Sequence, residues 1–161
     1  MNAQHFYLLN WYRFDNEILS QLVYRLKSDN SWPALGYYAK LLVPKVKVDW
    51  QNYAGLIPIP GSKSGSVHAR LLAQEISYIT GLPVIDVLIK KNEATEQKLK
   101  SAFERKNESS ISLKKEYAEQ FTKCIFVDDI LTTGETFFQS NKAVKGSIEN
   151  IIVTLFYRPK A

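Results

Sequence analysis

Apolar residues recur along the chain in two rhythms. Short continuous runs at Ala54–Ile59, Val84–Ile89, Lys123–Val127 and Asn150–Tyr157 have the length and β-branched content of strands buried in a parallel sheet. Between them, apolar positions 67, 71, 72, 76 and 79 predict a helix over Ser66–Ile79, ended by Gly81 and Pro83. A second helix is predicted over Gly134–Val144, stopped at Gly146. Ahead of this alternation, residues 6–14 are aromatic-rich and read as extended or irregular. Asp15 is placed to cap a helix reaching about Lys27, with Ile18, Leu22 and Leu26 at helical spacing. Another helix is expected over Ala34–Leu42, ending before Pro44. Lys91–Lys115 reads as a polar, partly helical excursion.

Strands alternating with helices predict an α/β domain, a mostly parallel sheet with flanking helices. Residues 1–50 would form a helical hood or edge over an α/β core at 51–161. No internal repeat or low-complexity tract interrupts it.

Composition narrows the class. With 161 residues, 45% of them hydrophobic, the chain has the size of one domain and enough apolar surface for a core without staples. The lone Cys124 cannot build an internal disulfide framework or a cysteine zinc site, which suits a reducing compartment. No apolar run approaches the roughly 20 residues of a membrane span, and Met1–His5 lacks the pattern of a signal peptide. A cytoplasmic location without membrane association is the expectation.

The formal charge of +5 is unevenly distributed, since residues 90–115 hold eight Lys/Arg against four Asp/Glu. That segment is either a solvated helix of mixed charge or a surface meeting phosphate or nucleic acid. DNA binding through Lys98, Lys100, Arg105 and Lys106 would be salt-sensitive. His5 and His68 are too few for a histidine metal site, and His68 on a helix suits packing or surface better than catalysis.

The densest chemistry follows the third apolar run. From Cys124 to Thr136 a buried strand meets two carboxylates, Asp128 and Asp129, then passes through Thr132, Thr133, Gly134, Glu135 and Thr136 into a helix. Ligands of open α/β sheets lie beyond the carboxyl ends of strands, where such acids would emerge. Adjacent carboxylates accept hydrogen bonds from a cis-diol and hold Mg2+ directly or through its water shell. The hydroxyls and amides of 132–136 at a helix N-terminus favour a phosphate dianion. Each piece taken alone also suits an acidic strand end and an ordinary N-cap.

Phe126–Thr136 resembles the phosphoribosyl-pyrophosphate (PRPP) signature of the type I phosphoribosyltransferases. The resemblance implies that Asp128 and Asp129 hold the ribose hydroxyls and Mg2+, and that residues 132–136 cradle the 5-phosphate. The hypoxanthine and guanine salvage branch carries a further acid where this chain has Thr132, which argues against that substrate class. Tyr12–Leu22, Leu26-Lys27, Ile57–Pro60 and, loosely, Gln97, Arg105 and Asn107 resemble the ComF-like branch associated with competence and DNA uptake. Its cysteine module is absent. Where that branch shows Arg-Gly-Phe-Asn-Gln, this chain has Ser64-Gly65-Ser66-Val67-His68.

The resemblance makes Pro60, Gly61, Ser62, Lys63 and Ser64 a pyrophosphate loop, although a plain Gly/Ser turn has the same composition. It is not a nucleotide P-loop, because the spacing of glycine and lysine is wrong. Lys90 and Lys91 lie where a closing flap would reach the pyrophosphate. The expected activity is Mg2+-dependent binding of PRPP and transfer of its phosphoribosyl group to an acceptor that the sequence does not identify. The rival readings are a non-catalytic PRPP sensor, an accessory of DNA uptake, and a nucleic-acid binder. Oligomeric state has no signature in the sequence.

Overall fold

A computed structural model describes residues 4–12, 20–21, 23–25, 32–61, 67–90, 111–114, 121–145 and 149–159. Its centre is a four-stranded, wholly parallel sheet of β1 (His5–Asn10), β2 (Gly55–Pro58), β5 (Cys124–Leu131) and β6 (Ile151–Tyr157), in the order β1-β6-β5-β2. The helices are α1 (Trp32–Lys45), α2 (His68–Thr80) and α3 (Glu135–Ala143), with a short 3-10 helix at Trp50–Asn52. Residues 20, 21 and 23–25 are also helical. The structure is thus α/β with a mostly parallel sheet and flanking helices, as the alternation of patterns predicts.

Both faces of the sheet are covered, which explains why its strands are apolar on both sides. On one face Leu56, Ile125, Val127, Val153 and Leu155 pack with Leu35, Leu42, Leu72 and Ile76 of α1 and α2. On the other, Ile57, Cys124, Phe126 and Ile152 pack with Phe137 of α3 and with Val87, Leu88 and Ile111. Phe126 and Phe137 meet edge to face at 5.2 Å.

Several elements differ from the sequence expectation. Residues 5–10, within the stretch expected to be extended or irregular, form an edge strand, in register with β6 from His5↔Ile152 to Asn10↔Tyr157. The segment over Val84–Ile89 contributes only a single parallel bridge, Leu56↔Val84, to the main sheet. Its end forms β3 (Leu88–Lys90), antiparallel to β4 (Ile111–Leu113), so the expected excursion returns as a strand before Lys115. Helix α1 passes through Pro44 instead of ending before it, and the amide of Val46 still reaches the carbonyl of Leu42 at 3.0 Å. Pro44 removes the bond its amide would make to the carbonyl four residues back, and the helix ends one residue later at Lys45. Asp15, Ile18, Leu22, Leu26 and Gly146 lie outside the described residues.

Gly55 is required by close packing. A Cβ there would sit 2.6 Å from Cδ1 of Ile85 and 2.8 Å from the carbonyl oxygen of Pro83. The backbone of 83–85 therefore lies tight against β2, exchanging the Leu56 amide to Pro83 (2.8 Å) and the Ile85 amide to Leu56 (2.7 Å).

Candidate functional site

All four strands of the main sheet run the same way, so their carboxyl ends share one edge, the place where α/β sheets bind ligands. Strands β2 and β5 are neighbours there, with Pro58 opposite Val127, and the amide of Ile59 donates to the carbonyl of Val127 at 2.9 Å. Pro60 and Gly61 consequently leave the sheet beside Asp128 and Asp129. The ends of β6 and β1 are laced to the same edge through Arg158 amide to Leu131 carbonyl and Trp11 amide to Tyr157 carbonyl, both 2.8 Å.

The strand does not stop at the acidic pair. It runs on through Ile130 and Leu131, because β6 offers them partners in Phe156 and Tyr157. Both aspartates are half-buried, and the amide of Asp129 donates to Oδ1 of Asp128 at 2.8 Å. Strand alternation sets Asp128 on the side of Cys124 and Phe126, and Asp129 on the side of Ile125 and Val127. Asp129 accordingly lines a small cleft with Val23, Leu35, Ile130, Leu155 and His68. His68, the first residue of α2, is buried, in keeping with a packing role, and has Asp129 as a neighbour across that cleft. The sequence offered no acid near this histidine.

The following loop turns into α3 through a left-handed glycine. Gly134 precedes α3 with φ +78°, and its carbonyl accepts the amide of Phe138 at 2.9 Å. Thr132, Thr133 and Thr136 are exposed around it. Oγ1 of Thr133 accepts the Glu135 amide at 3.3 Å, while Glu135 itself accepts a hydrogen bond from Gln139 at 3.0 Å. Glu135 thus belongs to the helix surface and adds its charge to the first turn of α3, where the dipole favours it.

Of the first loop, Pro60 and Gly61 are described and half-buried, whereas Ser62, Lys63 and Ser64 lie outside the described residues. Lys90 ends β3 with Ile111 as its register partner, and Lys91 lies outside the described residues, as do Gln97, Lys98, Lys100, Arg105, Lys106 and Asn107. Two cations that the sequence reading did not single out border the first loop. Arg70 and Lys114 line one groove with Pro58, Pro60 and Asp86. Nothing in the local sequence marks them, since the groove exists only once β4 returns beside β3.

Among the described residues no three His, Cys, Asp or Glu side chains converge into a metal cage. Two carboxylates at a strand end still suit Mg2+, which keeps waters and takes further oxygens from substrate phosphates. The buried Cys124 has its thiol pushed up to about 11 by desolvation, which fits core packing and not nucleophilic chemistry. No helix among the described residues is long and apolar enough to cross a membrane. No family model matches the chain, and no curated protein is significantly similar to it.

Proposed function

We propose that this protein is a phosphoribosyltransferase-type domain of the ComF-like kind that binds PRPP with Mg2+ at the carboxyl ends of β2 and β5. The observation that carries the reading is the exit of two ligand-suited loops, at Pro60 and at Asp128–Thr136, from adjacent parallel strands. The residues 132–136 would receive the 5-phosphate at the start of α3, and Asp128 and Asp129 the ribose hydroxyls. Mg2+, held by the carboxylates and by PRPP oxygens, would neutralise the departing charge. In the transfer, the bond from the anomeric carbon to the pyrophosphate oxygen breaks and its electron pair leaves with pyrophosphate. A bond to the acceptor forms at the same carbon, and the acceptor gives up its proton to solvent. The reading includes a cytoplasmic setting, where PRPP and Mg2+ would be met together.

Calorimetric titration of PRPP, with and without Mg2+, into the wild type and into the Asp128→Asn/Asp129→Asn variant tests it. Metal-dependent binding that disappears in the variant is expected. Absence of binding to the folded wild type would overturn the proposal.

A further inference from the structure

The parallel sheet is interrupted at one level, beside the acidic pair. On one side of β6 the paired positions pass from Tyr7↔Thr154 to Leu9↔Phe156, and on the other from Asp128↔Thr154 to Ile130↔Phe156. Leu155 is skipped by both neighbouring strands, and with it Leu8 and Asp129. Regular alternation sends consecutive residues of a strand to opposite faces. Here Asp129 and Ile130 line one cleft, and Leu155 and Phe156 line it with them, so both strands lose their alternation at this level.

Side chains meet the backbone where the ladder lapses. Nζ of Lys45 donates to the carbonyl of Leu8, and the amide of Asp129 donates to Oδ1 of Asp128 at 2.8 Å. Between them, on β6, the hydroxyl of Thr154 donates to the carbonyl of Phe156, two residues on, at 3.1 Å. That bond spans Leu155 and ties together the two positions that pair with Asp128 and Ile130. Thr154 is fully buried. Its one hydroxyl hydrogen is spent on Phe156, so toward Nε2 of His5, at 3.0 Å, it accepts. His5 thus fixes the direction in which the hydroxyl donates.

We propose that Thr154 is a positioning residue for the acidic pair: its hydroxyl, aimed by His5, holds the interruption at Leu155 and so keeps the Asp129 amide on the Asp128 carboxylate. One oxygen of Asp128 is thereby committed to the backbone, which fixes the direction of the other. Asp129 is turned, together with Ile130, toward the cleft that it shares with Leu35 and His68. Without the hydroxyl, regular pairing across Leu155 becomes the competing arrangement, and it sends Asp129 and Ile130 to opposite faces. The bearing on PRPP rests on the phosphoribosyl reading of the site; the hold on the backbone does not.

The test compares Thr154→Val, which keeps the branched shape and loses the hydroxyl, with Thr154→Ser, which keeps the hydroxyl. NMR of the full chain reads the amide proton of Asp129, and calorimetric titration of PRPP with Mg2+ reads the site. In folded Thr154→Val the Asp129 amide proton is expected to move upfield as it leaves the carboxylate. PRPP is expected to bind about tenfold more weakly, the effect of losing one well-placed contact. Thr154→Ser should match the wild type in both, which a loss of general stability would not explain. Should Thr154→Val fail to fold in a thermal melt, His5→Phe, which keeps a ring and loses the donor, takes its place and should move both readouts in the same direction. An Asp129 resonance unmoved in the folded variant, or serine behaving as valine does, would overturn the proposal. So would unchanged PRPP affinity in a variant whose Asp129 amide has moved. If the wild type binds no PRPP, the phosphoribosyl reading falls, and the amide resonance alone decides whether Thr154 holds the pair.

Discussion

The side-chain carbonyl of Asn150 accepts the amide of Cys124 at 2.8 Å, joining the start of β5 to the residue before β6. The same side chain donates to the carbonyl of Phe121 at 3.1 Å and to Oδ1 of Asn141 at 2.8 Å. Asn150 is fully buried, and the Cys124 amide and the Asn141 side chain that it meets are buried too. Replacement by leucine, which keeps the branching but no hydrogen-bonding group, would strand the buried Cys124 amide and the Asn141 oxygen. A loss of about 2–4 kcal/mol in denaturant unfolding is expected. A loss well under about 1 kcal/mol would show that neighbouring groups or water replace the amide.

Gly134→Ala separates backbone strain from crowding. The new Cβ would lie 3.5 Å from the ring of Phe138, an ordinary contact, so the cost comes from φ +78° alone. About 1–2 kcal/mol of stability should be lost, as for an alanine forced into the left-handed region. Gly134→Asn should lose less, since asparagine tolerates that conformation better. Denaturant unfolding of both variants measures the difference, and a parallel PRPP titration reads whether the start of α3 still receives the phosphate.

Acid should loosen the β1 edge through His5. Burial lowers its pKa from 6.5 to about 4, because the charged ring is poorly solvated between Tyr7 and Tyr157, at 5.0 and 5.1 Å. Thr154 gives its hydroxyl hydrogen to the carbonyl of Phe156 at 3.1 Å, so at 3.0 Å from His5 it can only accept. Neutral His5 therefore carries its proton on Nε2. Between pH 6.5 and about 4 the unfolded chain binds a proton that the folded chain refuses, so stability falls as pH drops through that window. Thermal melts from pH 7 to 4 should show His5→Gln losing less stability on acidification than the wild type. Parallel losses in the two proteins would assign the acid sensitivity to other groups.

Much of this architecture is legible locally. Strands β2, β5 and β6 announce themselves as apolar runs, and α2 and α3 by spacing and by the glycines beside them. The lead-in at 5–10 is legible only as extended or irregular, because it is half-exposed and its pattern lacks the apolar continuity of a central strand. Strands β3 and β4 have three residues each, too few to carry a period. Of the candidate site, the acidic pair and the glycine before α3 could be read from residue order alone. Arg70, Asp86 and Lys114 could not, since they meet only through the return of β4 beside β3.

The pairing of β1 with β6 carries a consequence for the order of assembly. His5 finds its partner at Ile152, across almost the whole length of the chain. During synthesis β1 has no strand partner in the sheet until residues 151–157 have left the ribosome, while the β2–β5 pairing that frames the two loops needs nothing beyond residue 131. Strand β1 is thus made well before its partner and joins the sheet only after β6 is in place. Closing so long a loop is slow. Until it closes, Phe6 and Leu8 lack the cover of the sheet and have helix α1 to pack against.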